Sequence, residues 1–216
     1  MLKIHFFQVT VSVVFLSSIY FHLAKRNIRI SMVYGLQSAG VVALLFYSYL
    51  QKGSPLILVV VLATLAVKVI IAPTFFIRLI NRHKFKFAVD PHVKMALGLA
   101  IIGLISGLVT LHIFSPLTTI IPANQTYLTL ALASMLISVF LIANHKDALS
   151  QIVGILSLEN SIVVFAIFAG LDQSSILDLG ILFDIFVWLF VAIAFISMMY
   201  RHIGSIDVTR MKRLKD

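Results

Sequence analysis

The sequence predicts an all-α integral membrane protein of seven transmembrane helices, with the N-terminus outside and the C-terminus in the cytoplasm. Three observations predict it. Of 216 residues, 61% are hydrophobic and 12% charged, a composition far outside soluble usage. Apolar runs of the roughly 20 residues that a helix needs to cross a bilayer recur seven times, which leaves no length for a folded domain beyond the membrane. Lys and Arg collect in alternate loops, as they do on the cytoplasmic side of membrane proteins.

The runs are Ile4–Ala24, Ile30–Leu50, Leu56–Ile80, Met95–Phe114, Tyr127–Ala143, Ile152–Leu171 and Ile176–Tyr200. The first is too long for the apolar region of a signal peptide and has no small-residue cleavage site before Lys25-Arg26, so it counts as a helix. The breaks that follow are polar or turn-forming: Lys25-Arg26-Asn27, Lys52-Gly53-Ser54-Pro55, Arg82-His83-Lys84, Ser115-Pro116, His145-Lys146-Asp147 and Asp172-Gln173-Ser174-Ser175. Fourteen cations fall on one side, in the first, third and fifth loops and the tail. Only Lys3 and Lys52 fall on the other, and Lys68 lies inside the third span. The net charge of +9 is therefore topological: the partner it predicts is the lipid bilayer, and no nucleic acid. The chain divides into residues 1–94, a three-helix region; 95–150, two connecting helices; and 151–216, a C-terminal helix pair with a basic tail. There is a weak internal echo, in which Leu36–Phe46 and Leu158–Phe168 share four of eleven residues.

With no cysteine, the chain offers no disulfide, thiolate metal site or iron–sulfur ligand. It has no phosphate-cradling glycine loop, nucleophile elbow or His spacing suited to a metal. No active site, cofactor or metal is expected in this chain. What stands out are ionisable groups within the spans. Glu159, the sole glutamate, lies about 10–12 Å inside the sixth run, counted at 1.5 Å per residue. Asp184 lies in the seventh run and Lys68 near the middle of the third. A charge at a helix centre costs about 2.5–3.5 kcal/mol to insert, so such groups face protein or water, where they pair or titrate. Burial raises a carboxyl pKa and lowers that of lysine, which suits all three to proton relay. Gln37 and Asn160 are accessory candidates, as is His112 near the end of the fourth run. Pro73, five residues after Lys68, frees the Val69 carbonyl and predicts a bend beside the buried amine. The other histidines, among them His22 and His145, fall at or near span ends, where interfacial water is expected to solvate them.

Gly154-Ile155-Leu156-Ser157-Leu158-Glu159-Asn160, followed by Ala166 to Gly170, resembles the second helix of subunit K of NADH-quinone oxidoreductase, the small three-helix subunit of respiratory complex I. In that family a glycine-leucine-glutamate segment carries a membrane-embedded glutamate, and the next helix carries a second. Asp184 occupies the second position here, a departure to the shorter acid. Residues 127–143 would supply the first helix of that three-helix unit. The longer chain resembles hydrogenase-4 component E of formate hydrogenlyase-type complexes. The resemblance is carried by Tyr34-Gly35-Leu36-Gln37-Ser38, Lys68 ahead of Pro73, Gln151 to Asn160, Asp184, and Gly204-Ser205-Ile206-Asp207-Val208 in the tail.

That resemblance implies a non-catalytic subunit of an energy-converting hydrogenase or formate hydrogenlyase in a prokaryotic inner membrane. Its neighbours would be antiporter-like membrane subunits, with iron–sulfur clusters and a NiFe centre in partner subunits. Glu159 and Asp184 would match the paired acids, and Lys68 the buried lysine. Two alternatives are a subunit of a multi-subunit cation/proton antiporter, and a docking subunit in which Glu159 and Lys68 form a static pair.

Overall fold

The computed structural model describes residues 2–82 and 91–171, together with residues 180, 183, 186, 190, 193, 194 and 197, which are helical. Asp184, most of the seventh expected span and the basic tail lie outside the described residues. The eight α-helices of the described part are α1 (Leu2–Leu23), α2 (Asn27–Lys52), α3 (Pro55–Thr64), α4 (Ala72–Arg82), α5 (Met95–Leu108), α6 (Ser115–Thr118), α7 (Gln125–Asn144) and α8 (Ala148–Phe168). Among the described residues, five stretches are long and apolar enough to cross a membrane: Lys3–Leu23, Asn27–Lys52, Pro55–Arg78, Pro122–Asn144 and Ala148–Phe168.

Local chemistry sets the boundaries. The α2 helix stops at Gly53, whose left-handed φ of 64° lets its N–H return to the Tyr49 carbonyl at 2.8 Å; Pro55 then opens α3 in the first turn, where its missing N–H costs nothing. The third expected run is not one regular helix. A π-helical turn, Leu65–Ile71, joins α3 to α4, and the Ala72 N–H reaches back five residues to the Val67 carbonyl. Pro73 has no N–H to offer and crowds the turn before it, so the widened turn falls where the sequence places the bend. Gly35 of α2 accommodates it: a Cβ there would lie 3.1 Å from the Pro73 ring.

The fourth run is helical for a shorter distance than expected. Instead of continuing to Phe114, α5 ends at Leu108 after 14 residues, about 21 Å, which falls short of a bilayer core of about 30 Å. Thr110 ends it by turning both its N–H and its hydroxyl onto the Gly107 carbonyl, at 3.1 and 2.6 Å. Two 3₁₀ turns, His112–Phe114 and Pro122–Asn124, and the single turn of α6 carry the chain to α7. Asp147 then caps α8 by accepting the Ser150 N–H at 2.9 Å, which starts that helix at Ala148, four residues ahead of the expected Ile152.

Four long helices form the centre, α1 beside α2 and α7, and α8 beside α2 and α7, while the α3–α4 segment packs on the far side of α2 and α5 on α7. The buried apolar side chains sort into two large clusters. One includes Phe21, Ile30, Phe76, Leu141, Leu149 and Leu156; the other includes Val14, Val41, Ile57, Leu128, Val163 and Phe168. Each of the five spans runs from one cluster to the other, and between the two it carries buried polar side chains.

Candidate functional site

Between the clusters, α1 places Ser18, α2 places Gln37 and Ser38, the π turn places Lys68, α7 places Ser134 and Ser138, and α8 places Ser157, Glu159 and Asn160. All are buried, Lys68 with 1% of its surface exposed and Glu159 with 7%. Glu159 sits eleven residues into α8, about 16 Å from its start, deeper than the sequence count because the Asp147 cap lengthens the helix.

The Lys68 Nζ lies 3.0 Å from Glu159 Oε2 and donates to Asn160 Oδ1 at 3.1 Å. Asn160 passes the connection on, its Nδ2 donating to Gln37 Oε1 at 3.2 Å and to the Ser38 hydroxyl at 3.0 Å. Gln37 Nε2 in turn donates to the Ser157 hydroxyl at 2.9 Å, the Ser18 hydroxyl at 3.0 Å and the Val14 carbonyl at 3.2 Å. Ser157 meets Ser138 at 2.8 Å, and Ser138 donates to the Ser134 carbonyl. A hydrogen-bonded layer thus crosses five spans, from a charged pair at one side to serines at the other. Two charges in an apolar bundle are tolerable only when paired and further hydrogen-bonded, and Asn160 supplies that second contact to the ammonium.

The Tyr34 hydroxyl adjoins this layer. Its residue is fully buried and lies one turn before Ser38 on the same face of α2. Of the residues singled out in the sequence, Lys68, Glu159, Asn160 and Gln37 come together. Asp184 lies outside the described residues. His112 falls in the turn after α5, and its side chain is likewise outside them. Sequence reasoning missed Ser18, Ser138 and Ser157, all of them buried within their helices.

A second polar cluster lies where α7 meets α8. His145 is fully buried and His22 partly so, in place of the solvated positions expected at span ends. The turn between the helices folds inward, and it draws His145 under the preceding segment: Pro91 bridges His145, and the His92 and Val93 N–H groups donate to the backbone and side-chain oxygens of Asn144 at 2.6 and 2.9 Å. The His22 ring stacks on Phe140 at 4.9 Å and stands edge-on to His145 at 5.7 Å. Burial pushes the Asp147 carboxyl above the usual carboxylate range, and its bonds to Ser150 and the nearby His145 hold it back in part. Among the described residues, no group of three or more His, Asp or Glu is arranged to hold a metal ion.

No known family's sequence profile matches the chain, and neither a curated protein nor a solved structure matches it.

Proposed function

We propose that the chain is a non-catalytic membrane subunit that passes protons through Lys68 and Glu159 within a larger ion-translocating complex. The observation that carries this reading is the 3.0 Å Lys68–Glu159 pair at the head of a hydrogen-bonded layer spanning the bundle. An acid and an amine in contact share a proton whose position responds to neighbouring charge, and the connected amides and hydroxyls spread that response across five spans. In this reading the chain makes seven spans in a prokaryotic inner membrane, N-terminus outside and C-terminus cytoplasmic, and Asp184 is the second acid. The complex is an energy-converting hydrogenase or formate hydrogenlyase type, with antiporter-like subunits as neighbours. The resemblance of the Gly154–Asn160 and Tyr34–Ser38 segments supports that assignment.

A static docking role is the second reading, favoured by the way Glu159 and Asn160 together hold the Lys68 ammonium. The two separate on Glu159→Gln, which keeps shape and hydrogen bonding but cannot titrate. The relay predicts an assembled complex that no longer moves protons, whereas the docking role predicts lost assembly without a specific transport defect. Subunits recovered with the chain from native membranes test the complex type. Hydrogenase and iron–sulfur subunits support it, and antiporter subunits alone replace it with the antiporter assignment.

A further inference from the structure

The α2 helix carries a polar stripe that the charged pair does not use. Asn27, Ser31, Tyr34 and Ser38 recur at intervals of four, three and four residues, which places them on one face. All four are buried, none more than 2% exposed. The stripe starts beside the exposed Lys25 and Arg26 at the basic end of the bundle. It ends about 16 Å further along the helix axis, at Ser38, which Asn160 ties to the Lys68–Glu159 pair.

Two of these side chains are not provided for by the described residues. Among them, neither the Nδ2 nor the Oδ1 of Asn27 has a hydrogen-bond partner, and nor has the Tyr34 hydroxyl, though all three atoms are shielded from the surface. Buried amides and hydroxyls are very seldom left unmatched, because each unmatched group costs on the order of 1–3 kcal/mol. An apolar neighbour would have been easy to place, since Ile30, Phe76, Leu149 and Val153 pack around the same stretch. Ordered water is the ligand that fits, as it supplies both donors and acceptors and lodges where several polar groups converge.

From this we infer that the Asn27–Ser31–Tyr34–Ser38 face of α2 binds a file of ordered water that connects the aqueous phase at the basic end with Glu159. The geometry requires only the stripe and its unmatched atoms; the purpose, delivery of protons to the pair, rests on the relay reading. Tyr34 is the last station before Ser38, one turn earlier on the same face of α2.

Pulsed hydroxyl-radical footprinting of the intact protein in its membrane tests it, because radicals are made from water and modify side chains beside bound water. Phe21 and Phe76 are as fully buried as Tyr34 and lie in the same apolar cluster off the stripe. After correction for intrinsic reactivity, Tyr34 should be modified about tenfold or more above those two. Asn27→Leu, which removes the first station, should bring Tyr34 down toward their level. Equal modification of Tyr34, Phe21 and Phe76 in the unmutated protein overturns the inference, and that comparison needs no variant to fold. The labelling does not depend on transport. A protein in which Tyr34 is modified while Glu159→Gln still pumps keeps the water file and loses the relay.

Discussion

Replacing Lys68 by methionine leaves the Glu159 carboxylate without its 3.0 Å partner inside the bundle, and a buried pair broken from one side costs about 3–5 kcal/mol. Lys68→Met should therefore lower stability in detergent by that order, and Glu159→Leu in the same chain should recover much of the loss. Lys68→Arg holds the charge but does not release a proton, so the relay predicts a stable protein with no proton movement. Normal pumping in the Arg variant removes Lys68 from the relay. At Asp147 the sign of the pH effect is fixed by burial. The folded chain holds that proton more tightly than the unfolded chain, so its contribution is present below the usual carboxylate pKa and is lost as pH rises through the raised value. In Asp147→Asn the amide oxygen still accepts the Ser150 N–H, so melting temperatures should gain on the unmutated protein as pH rises from about 4 to 8. A difference that stays flat with pH contradicts a raised Asp147. Lys68, Glu159, Asn160 and Gln37 were legible in the sequence because a charge or an amide in an apolar run has no cheap explanation. Ser18, Ser138 and Ser157 were not, since a membrane serine commonly satisfies itself on the carbonyl one turn back, as Ser18 does on Val14 and Ser138 on Ser134.

Close approach of α7 and α8 depends on a glycine. A Cβ on Gly154 of α8 would stand 2.7 Å from Ile142 Cγ1 and 3.3 Å from the Ile142 backbone nitrogen, so α7 is held against α8 by the lack of a side chain. Gly154→Ala should force the pair apart and cost about 1–3 kcal/mol. Gly98 of α5 has nothing within 4 Å of its Cβ position, so Gly98→Ala should be neutral or should stabilise by up to about 1 kcal/mol through helix propensity. Thermal unfolding of the two variants side by side checks the contrast, and equal effects contradict it. The extents of α1, α2 and α7 could be read from apolar run length, to within three residues at each end. Periodicity could not supply which face turns inward, because lipid and core are alike apolar. Nor did run length reveal the early end of α5: Leu111 and Ile113 continue the apolar pattern, while the Thr110 hydroxyl terminates the helix locally.

Orientation rests on charge. Fourteen cations against two predict that Lys215→Cys, the sole thiol in a chain without cysteine, resists an impermeant thiol reagent in intact cells and reacts after lysis. Labelling from outside reverses the orientation and the odd number of spans with it. The layer joining five spans also imposes an order in time. Lys68 donates to a residue 92 positions later in the chain, and Gln37 to one 120 positions later. At about 5–20 residues per second of synthesis, Lys68 waits on the order of 5–18 s for its acid. Gln37 meets Val14 and Ser18 within the first hairpin and can wait inside the bilayer. Lys68 meets Glu159 and Asn160 once α8 emerges, so the charged pair closes late in synthesis, and a chain stalled before Glu159 should lack it.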